Sequence, residues 1–141
     1  MRRIKTLLLI LGLITANNAI SATFSDGTNF RDDTKFLYCF STEMTLFVAA
    51  LLDRPWPLSP YLYVLPSNTS SWSEVEIDKL SDHIVSFRFG PFGYNTFTIN
   101  RTTLRSSVEK LGAIGETRGS CNIVSPSEIE VALQRRGGKK I

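Results

Sequence analysis

Residues 84–108, IVSFRFGPFGYNTFTINRTTLRSSV, constrain the fold more than any other part of the chain. Val85, Phe87 and Phe89 alternate with Ser86 and Arg88 until Gly90, Pro91 and Gly93 break the run. Alternation then resumes, with Phe97 and Ile99 set between Thr96, Thr98 and Asn100. Successive side chains of a strand point to opposite faces, so this pattern specifies a half-buried antiparallel hairpin. Residues 104–108 extend it as a meander. A chain containing this stretch must build a sheet with one face on a core, and the stretch itself carries no evident chemistry.

The N-terminus changes the charge balance. Arg2, Arg3 and Lys5 precede the apolar run LLLILGLI at 7–14, and the polar TANNAISA segment ends in the small residues Ser21 and Ala22. A basic start, a short apolar core and a small-residue exit describe a secretory signal peptide over 1–22. The apolar run is well short of the roughly 20 residues that cross a bilayer, so no membrane span is expected after cleavage. The full chain has 16 Lys and Arg against 13 Asp and Glu, and losing those three cations leaves the two signs equal. A neutral domain lacks the basic face that nucleic-acid binding uses. The remaining cations Arg135, Arg136, Lys139 and Lys140 crowd residues 135–141 and read as a solvated, flexible basic tail.

The expected domain therefore covers 23–134, enough for a single core. Cys39 and Cys121 are its two cysteines, and an even count in an exported protein points to a disulfide. That bond would tie the first strand of the domain to the last. Localisation follows as exported, to the periplasm or outside the cell.

Read in order, 23–34 is polar and irregular, with Asp26–Gly27 as a turn signal. Residues 36–40, FLYCF, form a buried strand. In 41–54, Met44, Phe47, Val48 and Leu51 recur at one-face helical spacing, Ser41 or Thr42 offers a cap, and Arg54–Pro55 ends the run. The spacing predicts a short helix, and a strand stays open because Thr, Phe and Val also suit strands. Four of the six prolines fall within 55–66, so PWPLSP is extended and YLYVL at 61–65 is a strand. Val75 and Ile77 alternate with Glu74 and Glu76 and favour a strand over 73–77 with one acidic face. Ser71 with Glu74 also matches a helix-opening capping box. Residues 78–83 turn into the hairpin, 111–119 make a glycine-bearing loop, and 121–124 supply a last strand. Ser125, Pro126 and Glu128 then open a helix running to about Arg135. The expected class is mainly β, with α+β as its neighbour. A small antiparallel β-sandwich or partly closed barrel is predicted, with about six or seven short strands, one or two short helices and one disulfide.

Chemistry is sparse. His83 is the sole histidine, with Asp78 and Asp82 near it in sequence, but no serine sits in a Gly-x-Ser-x-Gly elbow. No metal or cofactor is expected: zinc needs three or four ligands, and both cysteines are taken up by the disulfide. Glu74, Glu76 and Asp78 share a strand face; they could gather a hard cation, but a solvated acidic face is the simpler reading. No catalytic residue is assigned.

Aromatic surfaces remain. Trp56 lies between Pro55 and Pro57, where it either closes one end of the core or joins Tyr61, Tyr63 and Trp72 in a ledge for a glycan or peptide. Phe92 sits at the hairpin tip, a position typical of contact residues. Trp56, Tyr61, Tyr63, Trp72 and Phe92 are thus the candidate binding residues. The leading expectation is a non-enzymatic exported binding module, inhibitor- or immunity-like in scale, whose partner is an envelope or extracellular protein or glycan. The alternatives are a small secreted hydrolase using His83 with Asp78 or Asp82, and a structural envelope component.

Overall fold

A computed structural model describes residues 20–112 and 115–138 of the chain. Its first strands are β1 (Ile20–Thr23), β2 (Asn29–Arg31), β3 (Lys35–Ser41), β4 (Thr45–Leu51), β5 (Tyr61–Pro66) and β6 (Ser73–Glu74). They are followed by β7 (Ile77–Leu80), β8 (Ile84–Phe89), β9 (Asn95–Asn100), β10 (Arg105–Lys110), β11 (Thr117–Ile123) and helix α1 (Pro126–Gly138). The alternating stretch forms β8, β9 and β10, with Val85 opposite Ile99 and Phe87 opposite Phe97.

Nine strands make one antiparallel sheet in the order β6-β5-β4-β3-β11-β10-β9-β8-β7, and β1 with β2 forms a separate hairpin. The two edges of that sheet, β6 and β7, are separated only by Val75 and Glu76. One extended segment therefore pairs with β5 through Ser73 and Glu74, and with β8 through Ile77, Lys79 and Leu80. The sheet curls until its edges meet on this segment, giving the partly closed barrel. Val75 and Ile77 pack inward while Glu74 and Glu76 face out, as the alternation requires.

Two cores lie on opposite faces of β3, β4 and β5. The barrel interior holds Leu37, Val48, Leu62, Val85, Phe87, Phe97 and Ile99. Outside it, Phe36, Phe47, Ala49 and Leu65 meet Phe24 and Phe30 of the β1–β2 hairpin, Trp72, and Ile129 and Leu133 of α1. The outer cluster is dense in edge-to-face aromatic pairs, such as Phe30 with Phe36 at 5.5 Å and Phe30 with Trp72 at 5.1 Å between centroids.

This second core explains where sequence reasoning fails. Residues 41–54 are not a helix. β4 is buried from Leu46 to Leu51 because it has a core on each side, and a strand with no polar phase satisfies helical spacing by accident. Ser41 does not cap a helix; its Oγ accepts hydrogen bonds from the N–H groups of Glu43 and Met44 and shapes the β3–β4 turn. Nor is 23–34 irregular, because Phe24 and Phe30 give the β1–β2 hairpin its hold on the outer core. β1 also includes residues 20–22, which sequence alone assigns to the leader; residues 1–19 of that leader lie outside the described residues. The described residues hold eleven strands rather than six or seven: β1, β2 and β4 carry no local period-two signal, and the strand expected over 73–77 divides into β6 and β7, with β7 running on to Leu80 where a turn from residue 78 is expected.

The expected loop over 111–119 is shorter, because β11 begins at Thr117. Gly119 stands inside it opposite Ser41, where any Cβ would collide with the carbonyl oxygen of Phe40. Of the basic tail expected over 135–141, residues 135–138 form the last turn of α1, and 139–141 lie outside the described residues. Arg136 donates from Nη1 to the carbonyl oxygens of Pro66 (3.0 Å) and Thr69 (2.8 Å) and stacks over Phe47. The start of α1 follows the sequence expectation: Ser125 Oγ accepts from the Glu128 N–H (3.3 Å) and Glu128 Oε2 accepts from the Ser125 N–H (2.8 Å).

Cys39 and Cys121 stand directly opposite each other on β3 and β11, 4.0 Å apart at Cα, and their sulfurs are bonded inside the barrel. The last strand of the sheet is tied as expected, but its partner is the third strand, because β1 and β2 precede it.

The Asp26–Gly27 turn links the hairpin to the barrel. Asp26 accepts from the backbone N–H of Thr28 (3.0 Å) and from that of Trp72 (2.9 Å). Partial burial pushes its carboxyl up, but these hydrogen bonds outweigh it and hold the pKa below the ordinary 3.8. A carboxyl depressed in the folded state stabilises above its unfolded pKa, and that contribution is lost as pH falls through the folded value. Asp26→Asn should therefore lower the urea midpoint at neutral pH, with the gap to wild type closing below about pH 4. A gap that is independent of pH would count against an ionised Asp26 in this role.

Candidate functional site

The barrel has two ends of different character. At one, the loop 52–60 and the turns 81–83 and 101–104 surround the start of β3 and the end of β11. At the other are the β3–β4 turn, the loop 67–72, the tip 90–94 and the turn that follows β10. We call these the loop end and the tip end.

The candidate binding residues do not form one ledge. Trp72 is buried in the outer core against Phe24, Phe30 and Phe36, and its indole Nε1 has no hydrogen-bond partner among the described residues. Its place beside Phe24 and Phe30 depends on a hairpin the local sequence does not announce. Tyr61 and Tyr63 lie half-buried on the outer face of β5 against Phe30, with the Tyr61 hydroxyl on Thr34 Oγ1 (2.5 Å). Burial first, and then the nearby Glu74 carboxylate at 3.4 Å, push the Tyr63 phenol up and keep it protonated. Trp72 lies within the outer core, and Tyr61 and Tyr63 pack against it.

Trp56 is the opposite case. It is 92% exposed and closes no core. It stands on the loop 52–60 at the loop end, braced by Leu58 N–H on Pro55 O (2.9 Å) and by Arg54 Nη1 on Ser59 O (2.7 Å). Pro55, Pro57 and Pro60 stiffen this segment, which turns at Trp56 and Pro57 instead of running extended as the proline content suggests, and it leaves no regular element for the indole to bury itself in.

Phe92 is fully exposed at the tip end. Gly90 and Gly93 both take positive φ, and Phe92 between them has φ 59° and ψ 21°. A bulky side chain in this left-handed region is a conformational outlier. Sequence reasoning missed the two neighbours that extend the patch. Tyr94 and Leu111 are both exposed, and the Leu111 N–H donates to the Tyr94 carbonyl oxygen at 2.8 Å, which brings the turn after β10 beside the tip. Leu111 opens the glycine-bearing loop and carries no local signal of contact; the pairing of β10 with β9 places it here.

Each end is also hollow. The tip end opens into a groove of about 720 Å³ lined by residues of β4, β5, β6 and β8, with Glu43, Glu74, Glu76 and Arg88 among its walls. At the loop end lies a cavity of about 420 Å³ with an apolar floor.

His83 lies exposed in the turn before β8, and its ring makes no hydrogen bond among the described residues; its N–H meets Ser81 Oγ at 3.3 Å. Asp78 is turned toward Arg88 (3.6 Å). No group of three His, Cys, Asp or Glu side chains that could hold a metal ion comes together among the described residues. No described helix is long and apolar enough to cross a membrane.

No family model matches the chain, and neither the curated proteins nor the solved structures yield a significant match.

Proposed function

We propose that the chain is an exported, non-enzymatic binding module that engages a partner protein through the Phe92 tip. The observation that carries this reading is a fully exposed phenylalanine held in left-handed backbone geometry. Such geometry costs on the order of 1–2 kcal/mol, and the exposed ring contributes nothing to the core. Strain of this kind concentrates at contact sites, where it pre-sets a side chain for its partner. Tyr94 and Leu111 extend the patch, and clustered aromatic anchors of this type carry most of the binding energy at protein interfaces.

A protein pocket suits this tip better than a sugar. Phe, Tyr and Leu together offer apolar area with a single phenolic hydroxyl, whereas the flat ledge that sugar stacking needs is lost with Trp72 in the core. Export accords with the basic and apolar N-terminus and with a disulfide, which persists in oxidising compartments. The small scale and single staple suit an inhibitor- or immunity-like role.

The test is affinity capture from host envelope and culture fluid, with the oxidised wild-type protein beside Phe92→Ala and Trp56→Ala baits. A partner held by wild type and by Trp56→Ala should bind Phe92→Ala about 30-fold more weakly, the loss for an anchor worth 2 kcal/mol. Phe92→Ala should unfold no earlier than wild type. A partner retained equally by all three baits, or a Phe92→Ala chain that loses stability, would overturn the reading.

A further inference from the structure

The cavity at the loop end is chemically unlike the polar groove at the tip end. Leu37, Val48, Ala50, Leu62, Val85 and Ile99 form its floor, all of them buried and drawn from five strands of the barrel. Ala50 is the smallest of the six and leaves space that a larger residue would fill. At about 420 Å³, the cavity falls within the range of small-molecule sites, which pair apolar walls with a few polar groups at the mouth.

Two features fix that mouth. Leu104, in its wall, has φ 62° and is pinned by its N–H on Asn100 O (2.8 Å) and its carbonyl on the Cys121 N–H (2.7 Å). A second bulky residue in left-handed geometry is thus spent on shaping this end, as strained residues do at ligand clamps. Arg101 donates to both carboxylate oxygens of Asp53 (2.7 Å each) and to Ser81 O (2.5 Å), tying the three loops across the rim. Lys35 and Asp33 complete the polar lining, so acids and bases are equal in number there.

We infer that this cavity binds the alkyl chain of a small single-chain amphiphile, tail inward and polar head at the rim. The occupant follows from the shape and the charge. A partner helix is about 10–12 Å across and needs an open groove, whereas this cavity ends on a floor inside the strands. The balanced rim favours neither anion nor cation, which leaves tail length as the selecting feature. The inference does not depend on the Phe92 tip, which lies at the other end of the barrel.

Calorimetric titration of the oxidised protein with straight-chain alkyl carboxylates and alkanols tests it. One site per chain is expected, tightening about fourfold for each added methylene until the cavity is full. Carboxylate and alkanol of equal length should bind within a few-fold of each other. Ala50→Phe, which fills the floor, should weaken binding at least tenfold, while Phe92→Ala should bind as wild type does. Should Ala50→Phe fail to fold, Ile123→Asp decides: Ile123 lines the mouth but is 73% exposed, so a charge there repels the chain without loading the core. Absence of saturable binding, affinity independent of chain length, or unchanged binding by a folded Ala50→Phe or Ile123→Asp protein would each overturn the inference.

Discussion

Replacing Cys39 and Cys121 together by alanine, or reducing the bond between them, is expected to remove about 4–5 kcal/mol of unfolding free energy at most. The figure comes from loop closure: the bond joins residues 82 positions apart, and closing so long a ring removes much of the freedom of the unfolded chain. The whole stability of a domain this size is about 5–15 kcal/mol, so the reduced protein should be marginal. Topology adds to the loss. Among the described strands, the β3–β11 pairing is one of two joints between the β3–β5 and β8–β11 parts of the barrel, the other being the segment 73–80 that pairs with both β5 and β8. Denaturant titration with and without a reducing agent measures the effect, and amide exchange should show β11 loosening first. Unchanged midpoints after reduction would mean that packing alone holds this joint.

Phe30→Ala should cost about 3–5 kcal/mol, the range for deleting a buried ring that its surroundings cannot refill. Phe30 is fully enclosed by four aromatic rings, Phe24, Phe36, Tyr63 and Trp72, with centroids 5.1–5.7 Å away. These neighbours belong to separate elements, so they cannot collapse together into the void. The hairpin β1–β2 would also lose its main anchor, and protease cleavage within 20–34 should rise along with the fall in the denaturation midpoint. A loss under about 1 kcal/mol would show that the outer core is loosely packed and that its burial overstates its energy. Phe30 and Phe92 are thus opposite cases: one phenylalanine matters to the fold and not to the surface, the other the reverse.

Nothing local separates those two phenylalanines. Phe30 sits in the polar run 23–34, which reads as irregular because few of its side chains face inward. Phe92 sits between glycines, which makes a turn legible but leaves open whether the ring folds back. Trp56 and Trp72 form a similar pair: both border turn-like, polar or proline-rich segments, and one is buried while the other stands in solvent. Loop 52–60 is held by its own Leu58-to-Pro55 backbone hydrogen bond and no described element covers Trp56, whereas Trp72 is covered by a hairpin some forty positions earlier in the chain, through the Asp26 contact.

What the chain determined by itself are the features set by neighbours in sequence. Period-two alternation specified β8 to β10, glycine and proline placed the tip, Ser125 with Glu128 opened α1, and two cysteines in a chain with an export-type N-terminus implied a bond. Tertiary structure alone decided the rest. It made 45–51 a strand by burying both faces of β4, and it ordered β1 and β2 by packing two phenylalanines against distant rings. It brought Leu111 to the tip, and it left a cavity above Ala50 at the loop end. Each of these depends on contacts between residues far apart in the chain, whose energy exceeds local preference and leaves no periodic trace in the segment it organises.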